Sequence, residues 1–438
     1  MNQLNDMRMF LSYLLSLALP LLVTAQLQGL PKPSLDGFYS QPEDLASHAP
    51  GQVLRTRQFL SRYPTNVSAS YQFFYRSNDD QGGAIGATGA VFIPEVPATE
   101  PKLVAYNVAE DAANLDCAPS WVWVNATPTR NTSSNEVYLN WAVSRGYYFV
   151  SIDFEGPTGA WLDGKIEGRT VLDGVRAALS FLSLPLSTPW VTAGFSGGAH
   201  TAAFASNEYA LGYAPDLNLI GATYGGTPID LTETLQHLDG TLGSQLALYG
   251  ILGLANAYPS ISAAVNAIRT PLGILVFDRL SDLCPSSNDY QITYLGPIEP
   301  LFWVQPLSLP ATQVAIANNS LLNNVSTVPV SAATFPRFIY HGSTDDEVPY
   351  APATQYVQQQ CAQGADIRFV TFPNADHFSS QLDGLVAGLQ FMEDVLEARL
   401  APASCGSPIP TPAVGSPEAN AYLGPYLAAL SVAVEQSG

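Results

Sequence analysis

Five residues, Gly194-Phe195-Ser196-Gly197-Gly198, constrain this chain more than any other stretch. They follow the apolar run Trp190-Val191-Thr192-Ala193, which reads as a buried strand. Glycines two before and two after a serine, at a strand end, describe a strand-to-helix turn too tight for a Cβ on either flank. The serine must then take a strained backbone conformation. Its hydroxyl projects at a helix N-terminus, where free N–H groups can stabilise an oxyanion. A chance Gly-X-Ser-X-Gly is common in a chain with 34 glycines, so the other chemistry-bearing residues decide.

At 438 residues the chain can bury a large core. Only 12% of it is charged and its net charge is −20, which speaks against electrostatic binding of nucleic acid or of an anionic membrane surface. Residues 1–25 read as a signal peptide: Arg8, a leucine-rich run, then Val23-Thr24-Ala25 as the small-residue cleavage site. The run is short and broken by Pro20, which argues against a membrane span. Secretion to the extracellular space is the expectation. The sequons at Asn66, Asn125, Asn131, Asn318 and Asn324 agree with it. So do four cysteines (Cys117, Cys284, Cys361, Cys405), an even number for an oxidising compartment, among which three connectivities are open. No Cys/His spacing points to a metal, and no cofactor is expected.

Residues 26–61 are Pro- and polar-rich with little periodicity. Strand-like runs follow at 69–76, 89–93, 103–108, 147–152, 220–223, 337–340 and 367–372, and helical patterns at 136–144 and 171–182. This alternation predicts an α/β fold with a mostly parallel sheet and its site at the strand C-termini. Residues 230–320 break the pattern. They read as helical and carry no charge between Asp239 and Arg269, and Pro259 divides that uncharged run into two helices. The expected organisation is a signal peptide (1–25), a first core part (26–228), an inserted helical cap or lid (229–320) and a second core part with a C-terminal segment (321–438).

An elbow serine needs a base, and there are five histidines. His48 and His237 have no motif around them, and His200 lies one helical turn behind the serine, a structural position. His341 ends a strand and opens His341-Gly342-Ser343-Thr344-Asp345-Asp346-Glu347, placing an acid on the following loop. His377, in Asn374-Ala375-Asp376-His377, follows the next strand. The chain order Ser196, Asp345, His377 is that of a Ser-acid-His hydrolase on an α/β sheet, with Asp346 as the competing acid. The oxyanion donors expected are the N–H groups of Gly197 and Asp111, with residues 153–156 as the less favoured second source.

Several segments resemble the fungal secretory lipases. They are Asn107 to Ser120, Gly146-Tyr147-Tyr148, Asp153 to Gly156, Leu172 to Arg176, Gly194 to His200, Gly225-Gly226-Thr227-Pro228, Phe335 to Tyr350 and Cys405-Gly406. The resemblance runs from about Lys102 to Cys405. It implies an α/β-hydrolase fold with an inserted helical cap, activity on acyl esters, Ser196, Asp345 and His377 as triad, and Asp111 and Gly197 as oxyanion positions. It also implies the pairings Cys117–Cys284 and Cys361–Cys405. Two departures stand out: Phe195 occupies a position often held by Tyr, and the chain ends soon after the apolar stretch 419–434.

The leading expectation is a secreted, monomeric lipase cleaving acylglycerols at an oil–water interface through a Ser-His-Asp triad and an acyl-enzyme. A secreted carboxylesterase for smaller soluble esters is the alternative. A catalytically silent lipid carrier and a serine peptidase are the remaining readings, disfavoured by the intact triad pattern and by the lack of any peptide-binding repeat.

Overall fold

The computed structural model describes residues 30–60, 66–125, 130–285, 294–322 and 335–437; the signal-peptide segment and Asn324 lie outside them. Nine strands form one sheet: β1 (Val53–Phe59), β2 (Val67–Asn78), β3 (Ala84–Pro94), β4 (Leu103–Asn107), β5 (Tyr148–Ile152), β6 (Pro189–Phe195), β7 (Asn218–Gly225), β8 (Arg337–Gly342) and β9 (Ile367–Phe372). Their order is β1-β2-β3-β5-β4-β6-β7-β8-β9. The pairs from β5 through β4 to β9 are parallel, and β1, β2 and β3 add an antiparallel edge. The sheet is thus mostly parallel, as expected, and all eight sequence-predicted strand runs fall within or overlap its strands.

The central strands are buried on both faces, so they read as continuous apolar runs rather than alternating ones. Their side chains nonetheless sort by face. Val104, Tyr106, Val191, Ala193 and Phe338 join one core with the helices α1 (Pro119–Asn125), α2 (Arg130–Ser144), α11 (His377–Leu396) and α12 (Pro417–Ser437). Leu103, Ala105, Trp190 and Ile339 join the other, with α3 (Gly164–Phe181), α4 (Gly197–Ala210) and α10 (Tyr350–Ala362). Helix α3 starts earlier than its apolar pattern because the Asp163 carboxylate accepts the Ile166 N–H at 3.1 Å and caps it.

Strand β1 lies in residues 26–61, where the sequence shows little periodicity and no strand is expected. It is an edge strand paired to β2, with Phe59 its one buried residue, and its arginines add long-range contacts. Arg57 Nη1 donates to Asp36 at 2.6 Å, and the Arg55 guanidinium lies 4.5 Å from the Phe74 ring centre.

Between β7 and β8 lie α5 (Leu231–Leu238), α6 (Ser244–Ala257), α7 (Pro259–Ile268), α8 (Pro271–Ser281) and α9 (Pro310–Asn319), packed around a third apolar cluster. Pro259 begins α7 and divides the uncharged run, as expected. The stretch 419–434 belongs to α12, kinked where Gly424 (φ 75°) precedes Pro425. It packs on α2, where Arg145 Nη2 donates to Tyr422 O and Trp141 Nε1 to Tyr422 Oη, both at 2.9 Å. No helix among the described residues is long and apolar enough to cross a membrane.

Candidate active site

Strand β6 delivers Ser196 to the head of α4 with φ 55° and ψ −124°, the strained geometry an elbow requires. The glycines are steric necessities. A Cβ on Gly194 would stand 2.1 Å from Gly198 O, and one on Gly198 would stand 2.0 Å from Asn107 O at the end of β4. Ser196 N–H donates to Gly225 O at 3.0 Å, fastening the turn to β7.

His377 opens α11 just after β9, where the Asp376 carboxylate caps the helix through the Ser379 N–H at 2.8 Å. Its Nε2 stands 2.9 Å from Ser196 Oγ, and its Nδ1 stands 2.9 Å from Asp345 Oδ2. Asp345 is locked in turn. Its Oδ1 accepts the N–H groups of Glu347 (3.0 Å) and Val348 (2.7 Å), and His341 Nε2 lies 3.2 Å from its Oδ2. Asp346 points elsewhere and accepts the backbone N–H of His377 at 3.2 Å. Burial raises the Asp345 pKa, but the His377 and His341 rings outweigh it and hold the carboxyl well below the usual range. Burial works against a charged His377, yet the carboxylates of Asp345 and then Glu347 hold its pKa up at about 9.

Gly197 is the first residue of α4, and Asp111 sits on the loop after β4 with φ 50°. Both line one slot with Ser196. Residues 153–156, the less favoured donor segment, also bond to that region: Glu155 Oε1 accepts the Ala112 N–H at 3.1 Å, and Asp153 accepts the Ser120 N–H at 2.7 Å and its hydroxyl at 2.6 Å. Burial, reinforced by Glu347, pushes the Asp111 carboxyl up to about 7. Burial also lifts Asp153 to about 7 despite its bonds from Ser120, and together with neighbouring carboxylates holds Glu110 and Glu155 well above the ordinary range.

A secretory lipase family model matches residues 124–402. Lipase A of Moesziomyces aphidis is 34% identical over 413 residues, covering 91% of this chain and 88% of that protein. The chain belongs to the secretory lipase family. Secreted triacylglycerol lipase LIP1 of Malassezia furfur is 30% identical over 84% of this chain and 77% of its own length. The X-ray structure of Candida antarctica lipase A superposes with a TM-score of 0.86 at 34% identity, covering 92% of this chain and 95% of that one. The fold is therefore that of the α/β-hydrolases, and the protein is a lipase, a carboxylic ester hydrolase.

The slot of this lipase is lined by Ser196 and walled by Trp161 and Leu162, by Leu231, Leu235 and Leu238 of α5 and by Leu246 of α6. Of the three cysteine connectivities, it holds Cys117–Cys284 and Cys361–Cys405. The first ties the region after the Asp111 loop to the end of α8. The second closes a loop that contains His377. His200 is structural, as its position implied: it is fully buried, with Nδ1 2.7 Å from Glu167 and Nε2 2.9 Å from Asn319 O. Asn66 and Asn318 are exposed, and Asn125 and Asn131 lie in α1 and α2.

Among the slot residues to which the sequence assigns no role, two lie close to the chemistry. Trp161 presents a buried indole N–H with no hydrogen-bond partner among the described residues. Glu347 brings Oε2 to 3.6 Å from His377 Nε2. No local pattern marks Trp161. Glu347 closes the loop His341 to Glu347, and only its position two residues after Asp345 points to the site.

Proposed function

We propose that this lipase hydrolyses acylglycerols, triacylglycerols among them, with Ser196 as nucleophile, His377 as general base and acid, and Asp345 as the orienting acid. The observation that carries this reading is the unbroken hydrogen-bonded row from Ser196 Oγ through His377 to Asp345, set at the head of an apolar slot. Ser196 Oγ attacks the ester carbonyl while His377 Nε2 takes its proton. The N–H groups of Gly197 and Asp111 receive the oxyanion. His377 returns the proton to the leaving alkoxide, and water then releases the acyl group by the same steps in reverse. Asp345 holds the imidazole in the tautomer this requires and stabilises its charged form.

On this reading residues 229–320 are a cap that completes the acyl slot over the two core parts, 26–228 and 321–438. The chain is exported through residues 1–25 and acts outside the cell as a monomer at an oil–water interface. Two disulfides support that compartment, and the exposed Asn66 and Asn318 are candidates for glycans.

The test is a chain-length profile from short soluble esters to emulsified long-chain triacylglycerol, with Ser196→Ala as blank. Turnover of the emulsion that vanishes in the variant is the expected result. Turnover confined to short soluble esters would replace the reading by a carboxylesterase.

A further inference from the structure

The slot is apolar on most sides, and two acids line it, Asp111 and Glu347. Glu347 lines it together with Ser196 and Asp111, with Oε2 3.6 Å from His377 Nε2. The turn that locks Asp345 also fixes Glu347, since the Glu347 N–H is one of the two donors to Asp345 Oδ1. Its side chain is 22% exposed, and among the described residues it accepts no hydrogen bond. The groups facing it are His377 and the acids Asp111, Asp345, Asp346 and Asp376. Burial raises its pKa, and His377 only partly offsets this.

Ester cleavage by Ser196, His377 and Asp345 leaves this acceptor without a task. Its place gives one. His377 Nε2 is the atom that hands a proton to the departing alkoxide, so the leaving oxygen must come within hydrogen-bond reach of it. A group 3.6 Å from the same nitrogen flanks the alcohol part of the ester. In a polyol ester, a hydroxyl on the carbon next to the ester-bearing carbon lies one oxygen–oxygen contact further along. That puts it within reach of Oε2. A fully esterified or simple alkyl alcohol would cover the carboxylate and leave it unpaired, which is costly for a desolvated acceptor.

We propose that Glu347 is a specificity residue that accepts a hydrogen bond from a free hydroxyl vicinal to the scissile ester. The lipase then favours partial acylglycerols over esters whose alcohol has no free hydroxyl. This rests on the catalytic reading of Ser196 and names the alcohol side of its substrate.

The experiment compares kcat/KM for 1-monooctanoylglycerol and ethyl octanoate, both dissolved, in the full-length protein and in Glu347→Ala and Glu347→Gln. The wild type is expected to prefer the monoacylglycerol. Glu347→Ala should reduce that preference by about tenfold or more, as loss of a charge-assisted hydrogen bond implies. Glu347→Gln, whose amide oxygen still accepts, should keep part of it. The wild type alone gives a second measure: 2-hydroxyethyl octanoate should be cleaved faster than 2-methoxyethyl octanoate, which lacks the donor. An unchanged preference in Glu347→Ala overturns the proposal, as does equal acceleration of both substrates, which would make the carboxylate an electrostatic brake. Equal rates on the hydroxyl and methyl ether esters in the wild type overturn it too. If Ser196→Ala retains turnover, the failure lies in the catalytic reading instead.

Discussion

A methyl group on Gly197 would stand 1.8 Å from Oδ1 of Asp111, deep inside van der Waals contact. The residue after Ser196 and the loop after β4 are therefore pressed together at the point where both N–H groups are proposed to meet the oxyanion. Any side chain at 197 must push Asp111 away. Gly197→Ala is expected to lower kcat by about 100-fold or more, the scale of losing an oxyanion donor, while melting close to the wild type. Adding Asp111→Ala to that variant removes the clashing carboxyl and should recover part of the loss. Steady-state kinetics of the two variants check both statements. A fully active Gly197→Ala would mean that Asp111 is not needed where it stands.

Asp345 and Asp346 are adjacent in sequence but do different work in space. Asp345 faces the His377 ring, whereas Asp346 accepts a backbone N–H at the start of α11. Asp345→Asn should cost on the order of 10³–10⁴ in kcat, because the imidazole loses both its tautomer and its counter-charge. Asp346→Asn keeps an oxygen that can accept the same N–H and should cost less than about tenfold. Kinetics on one soluble ester decide it, and the reverse ranking would move the acid by one residue.

The buried acids around the Asp111 loop set the pH response of stability. Asp111 and Asp153 stand at about 7 rather than 3.8, and Glu110 and Glu155 are held well above 4.5. Between about pH 4 and 7 the folded protein keeps protons that the unfolded chain has lost, so stability falls as pH rises through that window. His377 adds to this in the same direction. With its pKa raised to about 9, it contributes stability present in full below its ordinary value of 6.5 and lost as pH climbs through 9. Thermal unfolding is expected to give a higher Tm at pH 5 than at pH 8, and Glu110→Gln should narrow the gap. An equal or higher Tm at pH 8 would show that these carboxyls ionise freely in the folded state.

The parts of the site that were legible in sequence are those set by short-range geometry. Glycines flank Ser196 because the turn itself has no room, and a strand followed by an acid or histidine on the next loop reveals Asp345 and His377. Central strands such as β4 and β6 were legible for a similar reason, since a strand covered on both faces needs a nearly unbroken apolar run. Edge strand β1 was not, because only Phe59 among its residues is buried, and the partners of its arginines, Asp36 for Arg57 and Phe74 for Arg55, are distant in sequence.

The sequence by itself determined the strand-end placement of Ser196, Asp345 and His377 and their order along an α/β sheet, because backbone sterics and hydrophobic period are properties of neighbouring residues. Only the tertiary structure decided which of two adjacent aspartates meets the His377 ring, and that Glu347 and Trp161 enter the slot. It also selected one cysteine pairing of three by direct contact, where the family resemblance had only implied it. Each of these depends on side chains brought together across 30 to 180 residues by packing of the sheet and its helices. A local pattern carries no record of such distances.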